Sequence, residues 1–311
     1  MFSVYVEPTD KIRTIIAKAR EDAGSQARLA KMLNCTEGSL SLWKLGKRWI
    51  PWYIVEKLAA MVNENTLDLV DRHRIRGQNP GPSNDDGTIK VQKKMTSEKA
   101  RLLGWVLTDG NIHSKRSDIV IVQKYKTPLL KLMSHFQDEF FMGSSHFGIY
   151  RLGDRYWRLV VRSTPLKFIL TKFYGVSVGL KCSTIKIPPE IFSSDRSTKV
   201  SFITAVLEGD GSFTYSTIRG KKYPRISVQS KSEIFILQLT ELLKSLGYHP
   251  AKYNCHSRKH FGLCLERRED VQHFASECYK FMVHDKKRDR VAHLKKHKYT
   301  MEEIISDAPV V

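Results

Sequence analysis

Leu102-Leu103-Gly104-Trp105-Val106-Leu107-Thr108-Asp109-Gly110-Asn111-Ile112 is one of two stretches that decide how this chain folds. The other is Ile203-Thr204-Ala205-Val206-Leu207-Glu208-Gly209-Asp210-Gly211-Ser212-Phe213, and it repeats the first pattern 101 residues further on. Each is an apolar run of helical length that ends in Asp-Gly. The likeness continues with a small drift. Leu129, Leu130, Met133 and Phe136 match Phe235, Ile236, Leu239 and Leu242, while Leu166, Ile169, Phe173 and Tyr174 match Val271, Phe274, Cys278 and Tyr279. A pattern that recurs in this way marks one structural unit used twice, at about 80–100 residues per copy.

Each copy reads helix, hairpin, helix, hairpin, helix. The first helix ends at Asp-Gly, where Gly110 and Gly211 are suited to a left-handed cap. A strand pair is predicted near 111–123 and 212–229, where Arg225-Ile226-Ser227-Val228-Gln229 alternates strictly. A helix follows at 128–141 and 233–246, a second hairpin near 146–162 and 250–266, and a last helix at 164–174 and 269–282. Four antiparallel strands per copy, covered by helices, make an α+β fold. The expectation is a pair of pseudo-twofold tandem αββαββα repeats, at 96–176 and 198–290, with an inter-repeat linker at 177–197 and a basic C-terminal tail at 291–311.

The N-terminal region reads differently. Ile12, Ile15, Ile16 and Ala19, then Leu29, Ala30 and Leu33, then Leu40 and Trp43 fall at helical spacing. Thr36 is placed to cap the third helix, Gly46 to end it and Pro51 to open another. Two short helices joined by a tight turn predict a small all-α helix-turn-helix domain over 1–72. From His73 to Met95 the chain is rich in Gly, Pro, Asn and Asp, which predicts a linker over 73–95.

Composition narrows the partners. In 311 residues, Lys and Arg total 52 against 32 Asp and Glu, a net charge of +20. That excess favours a polyanion. No apolar run approaches the roughly 20 residues of a spanning helix, and the N-terminus lacks the pattern of a signal peptide. The expectation is a cytoplasmic, nucleoid-associated monomer without membrane contact. Its five scattered cysteines suit reduced thiols rather than a disulfide frame or a zinc site.

The paired motifs carry the chemistry. An acid in the last turn of a helix opposes the helix dipole, yet both copies place one there. Gly104 with Thr108, and Ala205 with Gly209, lie four apart on one helix face. If those faces meet, Asp109 and Asp210 arrive side by side. Such a concentration of negative charge calls for cations, and oxygen-only ligation suits Mg²⁺. The expected metal site comprises Asp109, Asp210, Thr108 and Gly209, holding two or three divalent cations, with Mn²⁺ as a substitute. A two-metal clamp on a phosphodiester follows.

Over residues 97–290 the chain resembles the single-chain LAGLIDADG homing endonucleases. Both nine-residue motifs, 102–110 and 203–211, keep the acidic eighth and glycine ninth positions, and they differ at the sixth, Leu107 against Glu208. The resemblance implies a β-saddle over DNA, with Asp109 and Asp210 catalytic. It implies further active-site roles for Lys181 and Lys286, the matching pair of basic groups, and for Gln123, whose counterpart is Gln229 or Ser230. On the hairpins, Asn111, His113, Lys115, Arg151, Arg155, Arg158 and Arg162 would face DNA from the first copy. Ser212, Thr214, Ser216, Arg219, Lys221, Lys222, Arg225, Arg258 and Lys259 would do so from the second.

Residues 10–70 resemble the phage Cro/repressor helix-turn-helix. That likeness implies Gln26, Glu37, Ser39 and Ser41 toward the major groove, with Lys44, Lys47 and Arg48 on phosphates. Together these expectations describe a Mg²⁺-dependent, site-specific double-strand DNA endonuclease connected with intron mobility. The alternatives are a non-catalytic DNA-binding regulator on the same fold and a maturase acting on intron RNA.

Overall fold

The computed structural model describes residues 4–77, 88–179, 183–218, 221–255 and 260–296. Its chain gathers into two compact units. The first holds the N-terminal region and most of the first repeat. The second holds the second repeat together with Ala100–Asp109 and Lys126–Pro128.

In the first unit, β1 (Val4–Val6) leads into α1 (Asp10–Ala23), α2 (Gln26–Leu33) and α3 (Glu37–Lys44). The hydroxyls of Thr9, Ser25 and Thr36 accept from the N–H groups of Ile12, Arg28 and Ser39, so each helix starts on a side-chain cap. The three apolar stripes read from the sequence are all buried. Next come β2 (Ile50–Pro51), α4 (Trp52–Met61), α5 (Thr66–Val70), β3 (Arg74–Gly77) and β4 (Thr88–Lys90).

The helices are therefore accompanied by an antiparallel sheet, ordered β2-β1-β3-β4. Its strands span only two to four residues, too few for alternation to announce them. Two of them fall inside the stretch that composition marks as a linker. Ile75 and Ile89, both buried, fasten these strands to the unit, while the Gly- and Pro-rich residues 78–87 lie outside the described part.

The first repeat supplies α6 (Ser97–Thr108), β5 (Gly110–Ile112), β6 (Asp118–Gln123), α7 (Lys126–Phe140), β7 (Phe147–Leu152), β8 (Tyr156–Arg162) and α8 (Thr164–Lys172). Its four strands pair antiparallel in the order β5-β6-β8-β7. Helix α8 also joins this repeat to the N-terminal region. A Cβ on Gly77 would stand 3.3 Å from that of Thr164, and the Trp52 ring meets Phe168 and Phe173 edge-on at 5.1 and 5.4 Å. Lys172 pairs with Glu56 at 3.0 Å. The two regions fall in one compact unit, with β3 and β4 inside the stretch that composition marks as a linker.

In the second unit, α9 (Pro189–Phe192) precedes α10 (Arg196–Gly209), β9 (Gly211–Ile218), β10 (Lys221–Ser230), α11 (Glu233–Ser245), β11 (Ala251–Cys255), β12 (His260–Leu265), α12 (Arg268–Cys278) and α13 (Asp285–Lys296). The sheet order is β11-β12-β10-β9, again antiparallel. Part of the expected inter-repeat linker is fixed in place, because Ser232 donates to the Ile185 carbonyl and Gln238 accepts from the Ile187 N–H. Part of the expected tail is also structured. Residues 291–296 end α13, with Val291 and Leu294 buried, and residues 297–311 lie outside the described part.

Neither motif glycine takes the left-handed cap. Gly110 and Gly211 instead open β5 and β9. Gly211 is required by space, since a Cβ there would lie 2.5 Å from Leu207 Cα. Among the described residues no helix is long and apolar enough to cross a membrane.

Candidate active site at the motif helices

From Ala100 to Asp109 the chain belongs to the second unit, where α6 meets α10. Residues 99–107 of α6 and 200–208 of α10 are buried on every side, as interior helices are. A Cβ on Gly104 would fall 2.7 Å from Ala205 Cβ and 2.9 Å from the Phe202 carbonyl oxygen. One turn on, a Cβ on Gly209 would stand 2.6 Å from Thr108 Cβ and 3.1 Å from Asp109 Oδ2. The small residues thus face one another as their spacing predicts. The Asp109 carboxylate lies against Gly209, the residue before Asp210. Asp109 is half-buried and Asp210 exposed.

Lys287 offsets the negative end of α10. Its Nζ donates to the carbonyls of Leu207, Glu208, Gly209 and Gly211 at 3.1, 2.6, 3.3 and 2.9 Å. These include groups that a helix C-terminus leaves without internal partners. Burial lowers the pKa of this ammonium, and the carboxylates of Asp109, Glu208 and Asp210 oppose that shift. Lys287 is brought there by the start of α13, where His284 Nδ1 accepts the Lys287 N–H at 3.4 Å.

Glu208 holds that start. Its Oε1 accepts the N–H groups of Val283 and His284, each at 2.7 Å, while Oε2 is buried without a hydrogen-bond donor among the described residues. Burial pushes this carboxyl up to about 7, against the pull of the two N–H groups, Arg101 and Lys287. The acid that departs from its partner motif is thus a clasp between α10 and α13.

The sequence offset points to Lys286, which lies exposed on α13, whereas Lys287 reaches the motif. A signal was present: Lys287, Val291 and Leu294 fall on one helical stripe whose other members are buried. Lys181 lies outside the described residues. Gln123 ends β6 half-buried, opposite Trp157. Strand register resolves its counterpart. Gly110 faces Ile121 and Gly211 faces Val228, so the residue two further on, Gln123, corresponds to Ser230. Gln229 points to the other face and donates to the Tyr253 hydroxyl at 3.0 Å. Thr108 Oγ1 donates to the Gly104 carbonyl at 3.0 Å and is packed against Gly209 in the helix contact, and the Thr108 carbonyl is its other oxygen donor.

The hairpin residues divide. Asn111 is exposed on β5, but His113 and Lys115 lie past the end of that three-residue strand. His113 Nδ1 accepts the N–H groups of Lys115 and Arg116, so it shapes a turn instead of lining a strand face. Arg158 and Arg162 share one face of β8, their guanidiniums 5.4 and 5.8 Å from the Tyr150 ring. Arg151 sits beside Trp157, and Arg155 is in the turn. Ser212, Thr214 and Ser216 share one face of β9, where Thr214 stands opposite Arg225. Lys222 falls on the set opposite to Arg225, and the side chain of Lys221 lies outside the described part. Arg219, Arg258 and Lys259 lie outside the described residues. In the N-terminal region, Gln26 Nε2 donates to the Glu37 carbonyl and to Ser41 Oγ, tying α2 to α3. Ser39 is half-buried beside Thr36, while Glu37, Lys44, Lys47 and Arg48 are exposed.

Residues 197–279, most of the second repeat, match the family model of a LAGLIDADG-like domain. Over 178 residues the chain is 22% identical to an uncharacterized protein of Methanocaldococcus jannaschii. That match takes in 55% of this chain and 19% of its relative, so the chain spans about a fifth of the relative's length. Among solved structures it is similar to the homing endonuclease I-DmoI in complex with DNA and Ca, at 18% identity, 65% of this chain, 98% of that one and a TM-score of 0.47. For I-DmoI in complex with DNA and Mn the figures are 19%, 61%, 99% and 0.44. For the N-terminal LAGLIDADG domain of DUF199/WhiA they are 14%, 68%, 87% and 0.39.

Proposed function

We propose that this protein is a divalent-metal-dependent, site-specific endonuclease of double-stranded DNA. The observation that carries the reading is the close crossing of α6 and α10, which sets the Asp109 carboxylate against Gly209, next to Asp210. The donor set fits a hard cation. It consists of the carboxylates of Asp109 and Asp210 with the carbonyls of Thr108 and Gly209, all oxygen, of which the Gly209 carbonyl also accepts from Lys287. Such an ion, when bound, supplies Lewis-acid stabilisation of the phosphodiester and a more acidic water.

The remaining work belongs to the chain. Lys287 holds the carbonyls of the α10 terminus in one arrangement and adds positive charge where a phosphate would bring negative charge. Gln123, Ser230, Lys181 and Lys286 are the further polar groups proposed to order the attacking water. The sheet-face residues Arg158, Arg162, Thr214 and Arg225 would take the duplex, and α2–α3 would act as a helix-turn-helix contact with flanking DNA. The +20 charge supports a nucleic-acid partner.

A second reading, a non-catalytic DNA-binding regulator, draws on Lys287 as well. An ammonium already bound to the Gly209 carbonyl relieves part of the negative charge that would otherwise call for a metal.

The two readings separate on incubating the full chain with Mg²⁺ and a randomised duplex library, followed by sequencing of new ends. The endonuclease yields cuts at one recurrent site, and Asp109→Asn or Asp210→Asn lowers the cutting rate at least a hundredfold with duplex affinity kept. Tight binding of a defined duplex without any cut assigns the regulator.

A further inference from the structure

The outer face of the β2-β1-β3-β4 sheet carries a basic strip remote in sequence from the motif acids. Ile75 and Gly77 are buried, so alternation turns Arg74 and Arg76 outward. Lys90 stands opposite Arg74, and Tyr5 opposite Arg76. Trp49, just before β2, holds the two guanidiniums over its ring, at 4.6 Å for Arg76 and 5.9 Å for Arg74. Arg74 also donates to Thr88 Oγ1 at 3.0 Å. Long side chains are thus ordered before any ligand arrives, which removes part of the entropy cost of binding.

The strip continues into a cleft of about 340 Å³ lined by Asp71, Arg72, Lys90, Gln92 and Lys94. Arg72 is held at φ +63°, a backbone region that non-glycine residues seldom adopt, and its N–H is bound by the Val91 carbonyl at 2.8 Å. Among the described residues the acids here are Glu7, beside Arg74, and Asp71, whose Oδ1 already accepts the Lys93 N–H at 2.6 Å. Among the described residues, Arg72, Arg74, Arg76, Lys90 and Lys94 are therefore five cations against two carboxylates.

We propose that this face is a second DNA-contact surface that grips the phosphates of duplex DNA without reading sequence. It rests on the DNA reading given above and adds to it a surface that neither α2–α3 nor the repeat sheets provide. Alternate residues on a strand advance about 6.6 Å, a step close to that between successive phosphates. Guanidinium forks match phosphate oxygens. Because arginines already cover the Trp49 ring, it acts as their support and not as a stacking platform for unpaired bases. Contacts of this kind fix register and orientation.

The test uses the full-length protein and a 40-base-pair duplex of random sequence, with binding followed by fluorescence anisotropy over a salt series. The variant combines Arg74→Gln, Arg76→Gln and Lys90→Gln, three exposed or half-buried side chains kept near their original length. Each lost phosphate contact removes about 0.9 from the slope of log affinity against log salt. The variant should therefore show a slope shallower by about 2–3 and at least tenfold weaker binding at 0.1 M salt. If its thermal midpoint falls, Arg76→Gln alone is used, with an expected slope change of about 1. An unchanged slope with duplex binding intact overturns the strip and leaves the DNA reading standing. Absence of duplex binding by the unsubstituted protein overturns both. Weakened binding to heparin alone, with the duplex unaffected, also overturns the proposal.

Discussion

Three buried or half-buried lysines share one solution to a common problem. Lys99 donates to the carbonyls of Gln92 and Lys94, Lys167 to those of His113, Ser114 and Arg116, and Lys287 to four at the motif end. Each ammonium leaves water and gains a ring of backbone oxygens. Glu208 is their acidic counterpart, satisfied by two backbone N–H groups. Its replacement is informative at this scale. Glu208→Leu, which copies Leu107 of the first motif, leaves the N–H groups of Val283 and His284 without their acceptor and should cost about 2–4 kcal/mol. Glu208→Gln keeps the accepting oxygen and should stay within about 1 kcal/mol of the original. Urea unfolding measures both, and equal losses would mean that Glu208 acts through its charge and not as a clasp.

Among elements, the crossing of α6 and α10 decides the most. Alanine is favoured over glycine within a helix by about 1 kcal/mol, so Gly104→Ala would stabilise an isolated α6. Here the added methyl would meet Ala205 and the Phe202 carbonyl, and carbonyl backbone yields little. Gly104→Ala should therefore lower stability by about 1–3 kcal/mol, as overpacking does, and reduce DNA cutting beyond what the lost stability explains. A rise in the urea midpoint would show that the helices stand further apart. The small face of each helix was legible in the sequence because residues four apart lie on one side of a helix, while the meeting of the two faces is given by the structure. The short strands β1 to β4 were not, since period two needs more residues than they contain. His113 lies past Ile112, where β5 ends, so period two does not set the direction of its side chain. Lys287 was not among the expected residues, because a sequence offset does not fix helical phase and the His284 cap does.

At the scale of the whole molecule, acid stability can be traced to the ties between distant segments. Arg196, at the start of α10, forks onto Glu277 of α12 at 2.7 and 3.0 Å, and the Tyr248 hydroxyl donates to the same carboxylate. Burial pushes the Glu277 carboxyl up, but the hydrogen bonds from Arg196 and Tyr248 and the Arg196 charge outweigh it, so its pKa is lowered. A carboxylate lowered by folding stabilises the protein above its unfolded value, near 4.5, and loses that contribution as pH falls through the folded value. Glu277→Gln should thus lower the melting temperature by a few degrees at pH 7, with the gap to the original narrowing as pH falls below about 4.5. A gap that persists in acid would assign Glu277 a packing role.

The helix α6 begins in one unit and gives its body to the other, and the chain returns to the first unit at Gly110. Severing the polypeptide between its repeats would therefore strand α10 with a bare apolar flank and deprive α6 of its seat. Neither fragment would be a self-sufficient half. Each would behave as an unsatisfied complement, soluble only when synthesised beside the other.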